Sequence, residues 1–232
     1  MCAKTFKSIV VYSGGQDSTT CLAEAIQIHG ASNVLAVNFA YGAKNGIEVE
    51  SARDICEKWG VEYMLLELDI FSKLGSSNLL TTCTGDTSER SVVKDNLPSS
   101  WVPNRNTLFF TIAHAIAQKY GAEEIVTGAC DYDEEGYPDT RAHFIGSIQY
   151  ALNVGSEADI AIHAPLLGLS KGETFMMADR LGVLDVIIND THTCYNGDRN
   201  PLNEWGYGCG KCSGCRGRIE GWAEYKKIKS QN

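Results

Sequence analysis

Short apolar runs of strand length alternate with segments of helical period, and that alternation limits the possible folds more than any other feature of the chain. Ser8–Tyr12, Val34–Phe39 and Tyr63–Leu68 are the first three runs. Between them Leu22, Ala25, Ile26 and His29 recur at i, i+3, i+4 and i+7 before Gly30, and Ala52, Ile55, Cys56 and Trp59 do so before Gly60. Strands joined through helices pair in parallel, and a parallel sheet buries both faces under those helices. The pattern resumes with a helix over Thr107–Tyr120 (Leu108, Ile112, Ala113, Ile116), a strand at Ile125–Gly128, a helix over Arg141–Leu152 and a strand at Ile160–His163. Ser170 and Glu173 have the spacing of a capping box and open a helix that ends near Gly182. The expected fold is α/β: a Rossmann-like parallel sheet of about five strands with helices on both faces. Residues 70–104, rich in Ser, Thr and Asn with Pro98 and Pro103, predict a long loop over a site. From Thr191 the composition turns to Gly, Cys and Asn. The expected division is a nucleotide-binding domain, 1–190, and a small metal-binding module, 191–232.

Charge and composition narrow the function classes. The 232 residues carry a formal charge of −9, which argues against a surface that tracks nucleic-acid phosphates. A nucleobase ligand needs only a pocket and stays allowed. No apolar run approaches the roughly 18 residues of a membrane span. Met1–Lys7 lacks the apolar core of a signal peptide. Nine cysteines without an export signal point to metal or chemistry rather than disulfides, and to the cytoplasm.

The first strand runs into Tyr12-Ser13-Gly14-Gly15-Gln16-Asp17-Ser18-Thr19. Glycines let a backbone approach an anion closely, and the following helix start offers N–H groups and partial positive charge. Ser13, Ser18 and Thr19 add hydroxyl donors. The lysine of a Walker loop is absent. A plain Gly-Gly turn is the bland alternative. The whole string after a first strand resembles the pyrophosphate loop of the N-type ATP pyrophosphatases, which adenylate a substrate oxygen.

Cys194, Cys209, Cys212 and Cys215 form a second constellation, the last three at C-x2-C-x2-C spacing. Two-residue gaps let neighbouring thiolates reach one tetrahedral ion at about 2.3 Å, which describes a closed structural Zn²⁺ site. A buried cysteine cluster and an iron–sulfur centre are the alternatives. Cys21 and Cys56 fall on helix faces as core residues, and Cys130 follows a strand end.

The loop with Thr19-Thr20-Cys21-Leu22, "VPNRN", "TGACDYDEEGYPDTR", "SKGET", "TCYNG" and the last three cysteines together resemble the 7-cyano-7-deazaguanine synthase family, over about residues 8–218. The resemblance implies ATP with Mg²⁺, a deazaguanine carboxylic acid, ammonia, a four-cysteine zinc site and a homodimer. Tyr12–Leu22 would then hold the phosphates. Lys171 and Arg105 are the cations for charge developing at phosphorus, unless they are surface charges of a helix start and a loop. Asp17 is the nearest carboxylate for Mg²⁺. Asp133 and Arg141 bracket the segment where open sheets bind ligands, and Asp133 could accept from a guanine-like edge or simply cap a turn.

Several positions depart from the family pattern. "YGAKN" replaces Gln-Arg-His with Ala43, Lys44 and Asn45, and Asn104 replaces glycine in "VPNRN". Glu134 and Glu135 replace an aromatic and a serine, Thr140 replaces cysteine, and His192 replaces leucine. The main expectation is nitrile synthesis. The alternatives are a related enzyme joining the activated acid to a larger amine, with Glu134 or Glu135 binding its ammonium group, and an inactive nucleotide- or base-binding protein. A solvated turn is the plain reading of the two glutamates.

Overall fold

Five parallel strands with helices on both faces form the body of the chain, in the order β3-β2-β1-β4-β5. A computed structural model describes residues 4–43, 46–74, 77, 79–80, 97–130 and 137–231. The strands are β1 (Ser8–Val11), β2 (Val34–Ala40), β3 (Glu62–Glu67), β4 (Glu124–Thr127) and β5 (Ala161–His163). Helices α1 (Gln16–His29) and α2 (Ile47–Trp59) follow the first two strands, the short α3 (Phe71–Leu74) follows the third, and α4 (Arg105–Tyr120) precedes β4. Then come α5 (Ala142–Ser156), α6 (Lys171–Arg180), α7 (Leu184–Asn189), a two-stranded ribbon β6–β7 (Leu202–Asn203, Gly206–Tyr207) and α8 (Ser213–Lys229).

Side chains alternate across the strands, so each strand feeds two cores. Ile9, Leu35, Val37 and Ile125 are buried with Phe109, Phe110 and Ala113 of α4 and Ile145 of α5. Val10, Val34, Ala36 and Val126 are buried with Leu22 and Ala25 of α1 and Ile55 of α2. Register decides where ligands can go. Val11 stands level with Val37 on one side and Thr127 on the other. β1 and β4 end at that level while β2 runs on to Ala40, and the chain order reverses between β1 and β4, leaving a crevice above their carboxyl ends.

The helix boundaries follow the sequence signals. Gly60 and Gly121 close α2 and α4 in left-handed conformation. Ser170 Oγ accepts from Glu173 N, and the Glu173 carboxylate accepts from Ser170 N at 2.8 Å, completing the capping box. Sequence periodicity does not reveal α8, because Gly214, Gly217 and Gly221 interrupt it. Trp222 and Tyr225 of α8 pack on Phe175 of α6. The two helices cross so closely that a Cβ on Gly221 would lie 2.8 Å from Lys171 Cβ. Glu224 of α8 accepts from Ser170 Oγ (2.7 Å) and Gly172 N (3.0 Å), placing a carboxylate on the positive end of α6. No helix among the described residues is long and apolar enough to cross a membrane.

Candidate active site and cysteine cluster

A cavity of about 420 Å³ opens above the carboxyl ends of β1, β2 and β4. That volume suits a small-molecule ligand. Tyr12, Ser13, Gly15, Gln16, Asp17 and Ser18 all line it. Thr19 lies behind them, buried, its hydroxyl 3.2 Å from that of Tyr12. Gly14 has φ +88, and a Cβ there would meet Glu48 O at 2.5 Å and Ala52 N at 2.9 Å, so only glycine lets the loop pass α2. Ser13 and Ser18 tie the loop shut through their hydroxyls, 3.0 Å apart. Gln16 is 1% exposed, and neither atom of its side-chain amide has a partner among the described residues. Gln16 lines the cavity, so a bound ligand or water can complete that bonding.

Lys171 is 8% exposed, which removes the surface-charge reading of it. Its Nζ lies 2.5 Å from Asp17 Oδ2 and 3.4 Å from Cys130 Sγ. Asp17 Oδ1 keeps no partner among the described residues. Arg105 opens α4, lines the cavity, donates to Tyr41 Oη at 3.3 Å and sits 5.8 Å over the Tyr41 ring. Glu48 of α2 lines the same cavity. Burial pushes its carboxyl up to about 8, against the pull of the Arg105 charge. Asn38, in the middle of β2, is buried with its amide Nδ2 unpartnered among the described residues.

Sequence reasoning did not single out Asn38, Tyr41, Glu48, Thr193 or Tyr195 as site residues, yet all line the cavity. Asn38 carried a signal, as a polar residue inside the apolar run "VLAVNFA". Glu48 carried none, because the Arg105 charge that acts on it lies 57 positions away in sequence (105 − 48).

Arg141 caps the start of α5, next to the cavity-lining Thr140. Asp139 accepts from Asn106 N, and Asn106 Nδ2 donates to Asp139 O, both at 3.1 Å, which ties α4 to the approach of α5. Asn104 has φ 57 and ψ 20. That left-handed conformation explains the exchange of glycine for asparagine, since asparagine adopts it more readily than other side chains do. Asp133, Glu134 and Glu135 lie outside the described residues, as do Lys44, Asn45 and residues 81–96 of the long segment.

None of the seven described cysteines is in a disulfide. The Sγ atoms of Cys194, Cys209, Cys212 and Cys215 lie within 4.8 Å of one another, and those of Cys209 and Cys215 are 3.9 Å apart. Ligands about 2.3 Å from a tetrahedral ion stand about 3.8 Å from each other, so the cluster could hold a metal such as zinc. Backbone N–H groups aim at the sulfurs: Lys211 N and Cys212 N at Cys209 Sγ (3.4 Å each), and Cys215 N at Cys212 Sγ (3.5 Å). Such bonds favour thiolates, the form that binds metal. Hydrogen bonds from the Cys212 and Cys215 thiols hold Cys194 far below the ordinary thiol range. The cluster abuts the first loop, since His192 N donates to Gly14 O at 3.2 Å.

The profile of a family described as queuosine biosynthesis protein QueC matches residues 7–226. A 7-cyano-7-deazaguanine synthase of Wolinella succinogenes is 49% identical, over 94% of this chain and 93% of the relative. Enzymes of the same name are 41% identical in Helicobacter acinonychis and 38% in Halorhodospira halophila. Each alignment spans 94% of this chain, with 96% and 91% of the respective relative.

Proposed function

The chain belongs to the queuosine biosynthesis QueC family, and from that premise we propose that it makes 7-cyano-7-deazaguanine from 7-carboxy-7-deazaguanine, ammonia and ATP. The observation that carries this reading is the SGGQDS loop at the reversal of strand order, lining one cavity with Arg105 and resting on the buried Lys171–Asp17 pair. A carboxylate is a poor acyl donor because its leaving group would be oxide. Adenylation replaces oxide with AMP and lets ammonia attack. Converting a carboxylate to a nitrile removes both oxygens, and each can leave bonded to phosphorus. The residues that lie together suit that task. The start of α1 and the Ser13 and Ser18 hydroxyls would hold phosphates. Lys171 and Arg105 would stabilise charge developing at phosphorus. The bare Asp17 Oδ1 fits a Mg²⁺ ion, which would neutralise phosphate charge when bound. Asp133 and Arg141 remain the proposed contacts of the base. Four thiolates with no open position fit a structural zinc. A cytoplasmic homodimer completes the reading.

The test is incubation of the protein with the acid, ATP, Mg²⁺ and ammonium. The expected products are AMP and a compound with the mass of the nitrile. An amide with an added primary amine, and no nitrile from ammonium, would move the assignment to a conjugating enzyme. An absence of nucleotide turnover would point to a binding protein.

A further inference from the structure

Thr193 Oγ1 is met by two donors. The Gln16 backbone N–H reaches it at 3.3 Å and Arg218 Nη1 at 3.2 Å. A hydroxyl has two acceptor lone pairs and one hydrogen. The two donors occupy both lone pairs, and among the described residues nothing accepts the hydrogen. Thr193 lines the cavity, where a bound ligand can accept that hydrogen.

Both donors are fixed. Gln16 is the first residue of α1. Arg218 is fully buried; its Nε donates to Trp205 O at 2.5 Å and its Nη2 to Ile187 O. A guanidinium held at three points cannot swing away from Thr193. Burial pulls Arg218 down to about 10, still protonated at neutral pH, with Asp17 and Cys215 favouring its charge. This is a buried cation bonded only to carbonyls and one hydroxyl, with no carboxylate hydrogen-bonded to it among the described residues. Buried charge is costly, and the bonds it makes here orient one hydroxyl.

We propose that Thr193 is a hydroxyl donor to the phosphate chain of the nucleotide, aimed into the cavity by Arg218 as its positioning residue. The proposal rests on the reading that the cavity binds ATP. It makes the segment that bears Cys194 a wall of the nucleotide site and not only a brace for the fold.

The test is steady-state kinetics of Thr193→Val, Thr193→Ser and Arg218→Lys on the full chain, with metal content and melting temperature measured alongside. Thr193→Val should raise the ATP KM at least tenfold and leave the KM of the deazaguanine acid within twofold, with metal content unchanged. Thr193→Ser should restore the ATP KM to within threefold of the parent. Arg218→Lys should show the same ATP-selective loss, and adding Thr193→Val to it should make matters no worse, because both changes remove one interaction. If Thr193→Val does not fold, Thr193→Ala carries the same expectation. An unchanged ATP KM, or equal rises for both substrates, overturns this proposal alone. A parent protein without ATP-dependent turnover overturns it together with the proposed function.

Discussion

Lys171 meets the cavity-lining Asp17 at 2.5 Å, with side chains 9% and 19% exposed. Removing one partner of a buried pair strands the other charge, at about 3–5 kcal/mol. Lys171→Met is therefore expected to lower unfolding free energy by about that amount and to stop AMP formation. The double variant Lys171→Met/Asp17→Asn should regain much of the stability and none of the turnover. Denaturant melts set beside the AMP assay check both. Glu48 gives a pH signature. Its carboxyl is raised from 4.5 to about 8 in the folded chain. Between those values the folded state holds more protons than the unfolded state, so stability is greatest below 4.5 and is lost as pH rises through 8. Each tenfold difference in proton affinity between the two states corresponds to about 1.4 kcal/mol, and because Glu48 borders an open cavity the total should not exceed a few kcal/mol. Glu48→Gln should flatten the fall in melting temperature between pH 5.5 and 8.5, and equal slopes in both proteins would refute the assignment. At this scale the loop residues and the four cysteines were legible, because their chemistry is local in sequence. Glu48, Tyr41 and Thr193 were not, because distant segments make their surroundings.

At the scale of elements, close approach decides more than hydrophobic pattern does. A Cβ on Gly128, just past β4, would sit 2.8 Å from Ser18 N at the start of α1. A Cβ on Gly221 would press on Lys171 at 2.8 Å. Gly221→Ala is expected to cost about 1–3 kcal/mol by overpacking. By displacing the Lys171 backbone it should lower kcat more than it changes either KM. Melting curves and initial rates separate the two effects. The same glycines explain what the sequence hid. The five strands and their helices were legible because short apolar runs and helical spacing are strong signals. Helix α8 was not, since three glycines cost it about 1 kcal/mol each in propensity, and two of them, Gly214 and Gly221, are there for contact with Thr193 and Lys171. The β6–β7 ribbon has two residues per strand, too few for any periodicity.

Across the whole molecule, the cysteine cluster, Arg218 and α8 tie the C-terminal segment to the SGGQDS loop. His192 N reaches Gly14 O, and Thr193 reaches Gln16 N. Metal binding in such clusters is folding energy. One zinc per chain is expected by elemental analysis, and chelation should weaken ATP binding before the circular-dichroism signal of the main sheet is lost. Metal-free protein that binds ATP as tightly as the untreated protein would break that link. In the proposed reaction this cavity activates a carboxylate by forming a bond between its oxygen and the α-phosphorus of ATP. The most direct test uses 7-carboxy-7-deazaguanine labelled with ¹⁸O in both carboxylate oxygens, followed by mass spectrometry of the nucleotide and phosphate products. Each AMP is expected to carry one ¹⁸O and pyrophosphate none. Label in inorganic phosphate beside ADP, or retention of both labels in the unreacted acid while ATP is consumed, would contradict it.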